Sequence, residues 1–264
     1  MDDPNPSESV QSGAVDSHCH LFLLDGEPAR VVEASRAAGV HRLVCVGIDP
    51  GTSRRSLELA ESFRGVFASA GLHPNEASRF DERAGAEIEQ LVASPLVVGV
   101  GETGMDRYRL GSPIEDQERV FRVHLALAAE IDKPVVVHVR EAWQDVLPIL
   151  EDVRAERVVL HCFSGDVDVA RECAARGYFL SFAGNITYPK NGHLRDAASV
   201  VPLERVLVET DAPFLAPQER RGRDNDPSGV LSVIESIARA RGEGVDVVRD
   251  ATSDNAARAF PGLR

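Results

Sequence analysis

The chain has 264 residues, 43% of them hydrophobic and 27% charged, with a formal net charge of −13. It is long enough for one large domain or two small ones, and no apolar run approaches the ~20 residues that cross a bilayer. The negative balance excludes an extended nucleic-acid groove, whose affinity would come from many Lys and Arg neutralising phosphates.

The N-terminal stretch MDDPNPSESVQSG is acidic and polar, without the basic start and apolar run of a signal peptide. Residues 1–13 read as a disordered tail, residues 14–264 as a single domain, and the protein as cytoplasmic. Cys19, Cys45, Cys162 and Cys173 are scattered, with no CxxC pair, which suits reduced thiols rather than a disulfide framework.

Beyond the tail, short β-branched runs alternate with segments of helical spacing. The runs 13–18, 42–47, 66–72, 96–101, 134–139, 158–162, 178–182 and 206–208 predict buried parallel strands. Helical spacing covers 28–38, 52–63, 84–91, 117–131, 142–153, 167–175 and 194–200, with two more helices near 229–241 and 247–260. Eight strand–helix units over about 250 residues predict an α/β (β/α)8 TIM barrel with an extra C-terminal helix. A doubly wound open sheet is the alternative, but no GxGxxG turn follows the first strand.

Barrel chemistry sits where strands end. The first strand closes on Asp16-Ser-His-Cys-His20, which sends His18 and His20 to one face, because residues i and i+2 share a side. Two strand histidines alone are commonly a surface feature. Glu102 follows the fourth strand, His138 the fifth, His161 the sixth and Asp211 the eighth. Burying six convergent polar groups with nothing to hold would be costly, so a metal site is expected. Six ligands exceed the needs of one tetrahedral ion, which implies two. His18 and His20 grip one, His138 and His161 the other, and Glu102 bridges. Lys133 and Lys190, the only lysines, lie away from strand ends, so neither serves as a carboxylated bridge. Asp211 binds the first ion and takes a proton from water, so the expected catalytic pair is Asp211 and Glu102. Nitrogen and oxygen ligands together admit Zn, Mn, Ni or Fe, with Mg less natural. Two such ions hydrolyse esters.

The segments DSHCHL, GLHP (71–74), GETGMD (101–106), HVREA (138–142), HCFSG (161–165) and ETDAPFLAP (209–217) resemble the TatD-type metal-dependent deoxyribonucleases of the amidohydrolase superfamily. The likeness runs in order from residue 16 to NAARAF (255–260). It implies a TIM barrel, divalent metals and hydrolysis of DNA phosphodiesters from a strand end, in the 3'-5' exonuclease manner. Its ligand positions fall on His18, His20, Glu102, His138, His161 and Asp211. It further implies phosphate contacts from His73 and Arg140, and help from Ser164 and Gly165, although a helix N-cap accounts equally for Ser164. The alternative for Arg140 is a pair with Glu141, and its place next to a ligand favours the phosphate role. Cys19 and Cys162 are expected to point away from the ions, and Glu209 to be a buried structural carboxylate. Where such proteins read close to RGKRNEPAYV, residues 221–230 are RGRDNDPSGV, which bears on substrate preference.

Two other functions compete. A related barrel acting on a small ester, lactone or amide would keep the site and change the substrate. A non-catalytic metal-binding scaffold would not need a bridging carboxylate.

Overall fold

A computed structural model of the protein describes residues 13–263. The expected tail lies outside the described residues except for Gly13, which belongs to the folded body: its carbonyl accepts a hydrogen bond from Ser253 Oγ at 3.1 Å.

Strands β1 (Ala14–Cys19), β2 (Val40–Val46), β3 (Val66–Ala70), β4 (Val97–Asp106), β5 (Val135–Arg140), β6 (Val158–Leu160), β7 (Phe179–Phe182) and β8 (Val206–Val208) form one sheet in sequence order, each parallel to the next. The connections carry α1 (Pro28–Ala37), α2 (Pro50–Ser62), α3 (Glu82–Val92), α4 (Ile114–Glu130), α5 (Trp143–Asp152), α6 (Val167–Ala175) and α7 (Gly192–Val200). Helices α8 (Val230–Arg241) and α9 (Val245–Ala259) follow β8. The seam between β8 and β1 is closed by hydrogen bonds. Ser17 Oγ donates to the Val208 carbonyl (2.9 Å), Asp211 N–H to that of His18 (2.9 Å), and His20 N–H to that of Ala212 (2.8 Å). Asp16 adds to this seam, accepting from Thr210 N–H at 2.9 Å and Thr210 Oγ1 at 2.5 Å. The fold is the barrel that the strand count predicts.

Valine explains the inside. Val15, Val44, Val46, Val98, Val136, Val159 and Leu207 fill the barrel interior, and the end of α9 lays Phe260 and Leu263 against them. β-Branched side chains pack well on a pleated surface and lose little rotamer freedom there. Lys133 belongs to the same end, its Nζ donating to the carbonyls of Val92, Ser94 and Val97 at 2.6–2.8 Å. With the strand-start end plugged, the carboxyl end is left for chemistry.

Helix starts follow local rules. Asp49 caps α2, accepting from Thr52 N–H at 2.7 Å, and Asp166 caps α6, accepting from Asp168 and Val169 N–H. Ser164 is therefore not the α6 cap; its hydroxyl donates to the Val139 carbonyl at 3.2 Å.

One strand departs from expectation. β4 runs to Asp106, five residues past the predicted end at Gly101. Its register against β5 slips between Val100 and Thr103, and in that slip Glu102 N–H turns across to the Gly47 carbonyl (3.2 Å). Only glycine fits at 101, where φ is +138° and a Cβ would meet the Val136 carbonyl oxygen at 2.4 Å. A slip of this kind re-aims a side chain. Here it drives the Glu102 carboxylate into the barrel mouth.

Candidate metal centre

All six strand-end residues converge. Glu102 lies at the middle, 3% exposed, and its two oxygens face different partners. Oε2 stands 3.4 Å from His18 Nε2; Oε1 stands 2.9 Å from His138 Nδ1, 2.9 Å from His161 Nε2 and 3.4 Å from His73 Nε2. Asp211 Oδ1 completes the first half, 3.4 Å from His20 Nε2 and 3.9 Å from His18 Nε2. Three compact ligand groups result, namely His18–His20–Glu102, His73–Glu102–His138 and His18–His161–Glu209. Glu102 belongs to two of them.

The outer partners set the tautomers. His20 Nδ1 donates to the Val46 carbonyl at 2.7 Å, and its Nε2 faces Asp211. His161 Nδ1 faces Glu209 Oε1 at 3.3 Å, and His138 Nε2 faces Asp106 Oδ2 at 3.3 Å. Each ring thus turns one nitrogen outward to an acceptor and the other inward to the central carboxylates, the arrangement found around metal-ligating histidines. His138 Nδ1 and His161 Nε2 are 3.1 Å apart, close enough for bare lone pairs to repel unless a cation or proton lies between them. His18, stacked on His161 with centroids 4.0 Å apart, has no hydrogen-bond partner for either ring nitrogen among the described residues. A buried imidazole without partners is costly. The donor set and this orphaned ring fit divalent ions.

Electrostatics follow from burial and proximity. Burial would raise the Glu102 carboxyl, but His161, His73 and His138 outweigh it and hold it well below the usual carboxylate range. Burial also opposes the charge on Asp211, yet the bond to His20 and the charges of His20 and His18 bring it below its ordinary value. Burial would lower His161, whereas Glu102 and Glu209 lift it well above the ordinary imidazole range. His18 goes down, through burial and then the charge of His161.

His73 reaches the centre as a different kind of group. Its Nδ1 accepts from Asn75 N–H at 3.1 Å, so the ring proton sits on Nε2, facing Glu102. Burial pushes its pKa down to about 4, despite the opposing charge of Glu102. It is a neutral donor. His124 supports this loop from the core, accepting from Leu72 N–H at 3.1 Å and donating to the Val120 carbonyl at 2.9 Å.

Two carboxylates went unassigned as functional groups in the sequence. Asp106 holds His138 with one oxygen and the backbone N–H groups of Tyr108 and Arg109 with the other, at 2.9 and 2.7 Å. Glu209 is buried as expected, but it also orients His161 and accepts from Cys162 N–H at 2.8 Å. The ETD (209–211) and GETGMD (101–106) segments place both carboxylates at the ends of strands that already carry ligands, which is the one available signal. Cys19 turns away, its thiol toward the Val44 carbonyl. Cys162 has a φ of +44°, which turns the chain at the end of β6, and burial, then the charges of Asp211, Glu209 and Glu102, push its thiol pKa well up. Arg140 is not paired with Glu141; its guanidinium lies over the Tyr108 ring, 4.0 Å from the centroid. Ser164 is exposed at the rim with its hydroxyl turned to backbone, and Gly165 is buried.

The altered 221–230 loop is pinned beside the site by Asn225, which donates to the carbonyls of Thr210 (3.0 Å) and Phe214 (2.9 Å). A Cβ at residue 229 would meet Asn225 Oδ1 at 2.3 Å, so glycine there follows from that anchor.

The family model "TatD related DNase" matches residues 15–261. The chain belongs to this family. It is 38% identical over 249 residues to the Bacillus subtilis metal-dependent hydrolase YabD, covering 93% of this chain and 98% of that protein. It is 36% identical over 243 residues to the 3'-5' ssDNA/RNA exonuclease TatD of Edwardsiella piscicida, covering 89% and 94%. Among solved structures, the TatD homologue YJJV of Escherichia coli superposes with a TM-score of 0.89 at 28% identity, covering 94% of this chain and 98% of that one. No helix among the described residues is long and apolar enough to cross a membrane.

Proposed function

We propose that this TatD-family chain is a two-metal phosphodiesterase that shortens single-stranded DNA from its ends. The division of Glu102 carries the reading. One oxygen faces the half formed by His18, His20 and Asp211, the other the half formed by His138 and His161. In this assignment those two sets hold one divalent ion each, with Glu102 shared; Zn, Mn, Ni and Fe suit the mixed nitrogen and oxygen donors better than Mg. When bound, such ions polarise the phosphoryl group and make hydroxide available near neutral pH.

The chain's own groups supply the rest. Asp211, kept ionised by His20 and His18, accepts the proton of the attacking water, since every histidine of the set presents its inward lone pair as a ligand and Glu102 is shared. His73 Nε2–H and the Arg140 guanidinium bind non-bridging phosphate oxygens. Positive φ at Cys162 (+44°) and Asp211 (+55°) marks backbone held in a sparsely populated region beside the chemistry. The likeness to an exonuclease supports the nucleic-acid substrate, and four unpaired cysteines suit a reducing cytoplasm.

The test is a substrate panel for metal-reconstituted protein: end-labelled single-stranded DNA and RNA, nucleoside-phosphate esters, and lactones. Shortening of labelled strands is expected. Turnover of lactones with none of the phosphodiesters would replace this reading with the small-ester one.

A further inference from the structure

Two guanidinium–phenol stacks stand at the mouth, and of their four residues only Arg140 has a part in the scheme so far. Arg140 lies over Tyr108 at 4.0 Å, and Arg221 over Tyr188 at 4.5 Å. The first pair rises from the ends of β4 and β5, the second from the loops after β7 and β8. The end of β6, with His161 and Cys162, lies between them in strand order.

Both tyrosines are held in place. Asp106, which also touches His138, fixes the backbone at Tyr108, and Arg107 clamps that loop through two bonds to Asp145 at 2.6 and 2.7 Å. Tyr188 donates its hydroxyl to the Ala216 carbonyl at 2.9 Å. Yet Tyr108 is 58% exposed. In a chain with 42 acidic residues, neither Arg140 nor Arg221 has a carboxylate partner among the described residues, and neither side chain donates a hydrogen bond there. A rigid aromatic face carrying a planar cation with its donors free matches a nucleotide in both of its parts. The base stacks on the flat pair, and the phosphate takes the guanidinium fork.

We propose that Tyr108–Arg140 and Tyr188–Arg221 are two nucleotide subsites on opposite flanks of the metal centre, each stacking one base and binding its adjoining phosphate. This rests on the phosphodiesterase reading and deepens it. Two splayed bases must be unpaired, so the subsites select single strands. They also give the altered 221–230 loop its task, through Arg221.

The test measures binding, with hydrolysis read separately. Fluorescein-labelled tetrathymidylate with phosphorothioate links, and an abasic tetramer of equal charge, are titrated into the metal-reconstituted full chain and followed by anisotropy. Tyr108→Ala should weaken tetrathymidylate binding about 10-fold, within the range seen for losing one base–aromatic stack, with far less effect on the abasic strand. Tyr108→Trp should restore it. Arg221→Ala should weaken both strands, because it removes a phosphate contact as well as a stack. Equal affinity of the unaltered protein for the two tetramers, or Tyr108→Ala binding tetrathymidylate undiminished, overturns the subsites. Base-dependent binding without shortening of an ordinary phosphodiester strand would instead overturn the hydrolytic reading and leave the subsites standing.

Discussion

Asp106 Oδ2 lies 3.3 Å from Nε2 of His138, the ring nitrogen turned away from the centre of the cluster. Asparagine at 106 can place its amide against that nitrogen and so reverse the tautomer, moving the proton to the inward Nδ1. Asp106→Asn is expected to weaken metal binding about 10- to 100-fold, as losses of such outer partners do. Competition against a chromophoric chelator reads the change. Unaltered affinity would mean that the carboxylate does not orient the ring.

The two central carboxylates should separate by their variants. Asp211→Asn keeps a coordinating oxygen but cannot take a proton, so metal content should stay near normal while turnover drops about 10²- to 10⁴-fold. Glu102→Gln removes the shared charge and should lose metal together with activity. Elemental analysis beside a turnover assay distinguishes them, and Asp211→Asn with full turnover would remove Asp211 from the role of base.

Shape of the substrate gives a third outcome. With a net charge of −13 the protein has little grip along a strand, so degradation should begin at ends and be distributive. Linear single-stranded DNA should shorten while a circle of the same sequence survives. Rapid cutting of the circle contradicts the end-directed reading.

Acid should expose the cost of His124. Burial pushes this core imidazole down to about 4 from the ordinary 6.5. Below pH 6.5 the unfolded chain takes up a proton that the folded protein refuses, so stability falls as pH drops toward 4 and then levels off. The full loss is on the order of 3 kcal/mol. His124→Gln removes the titration, and although it loses stability outright, its urea midpoint should change less between pH 7 and 4.5 than that of the unaltered protein. Equal pH slopes would refute this account.

The strands were legible where apolar runs stood alone. Val135-Val-Val and Val158-Val-Leu admit little else between helical segments, and the polar residue closing each run marks the mouth. Glu102 was legible as a site residue but not as a mid-strand one. Gly101 and Gly104 read as loop, and only pairing to β5 carries the strand through them. Asp106 and Glu209 were harder, because their function depends on which nitrogen of a distant ring faces which way. The Arg–Tyr stacks join residues 32 and 33 positions apart in sequence, and no local pattern announces them.

The β1–β8 seam has a consequence for synthesis. Three of the residues that shut the barrel, His18 and His20 early in the chain and Asp211 late in it, also belong to the centre. A chain emerging from the ribosome therefore presents its first two histidines long before their carboxylate partner exists. Any ion they catch in that interval would be held without Asp211. A product stopping short of β8 would lack both Asp211 and the seam bonds that close the barrel.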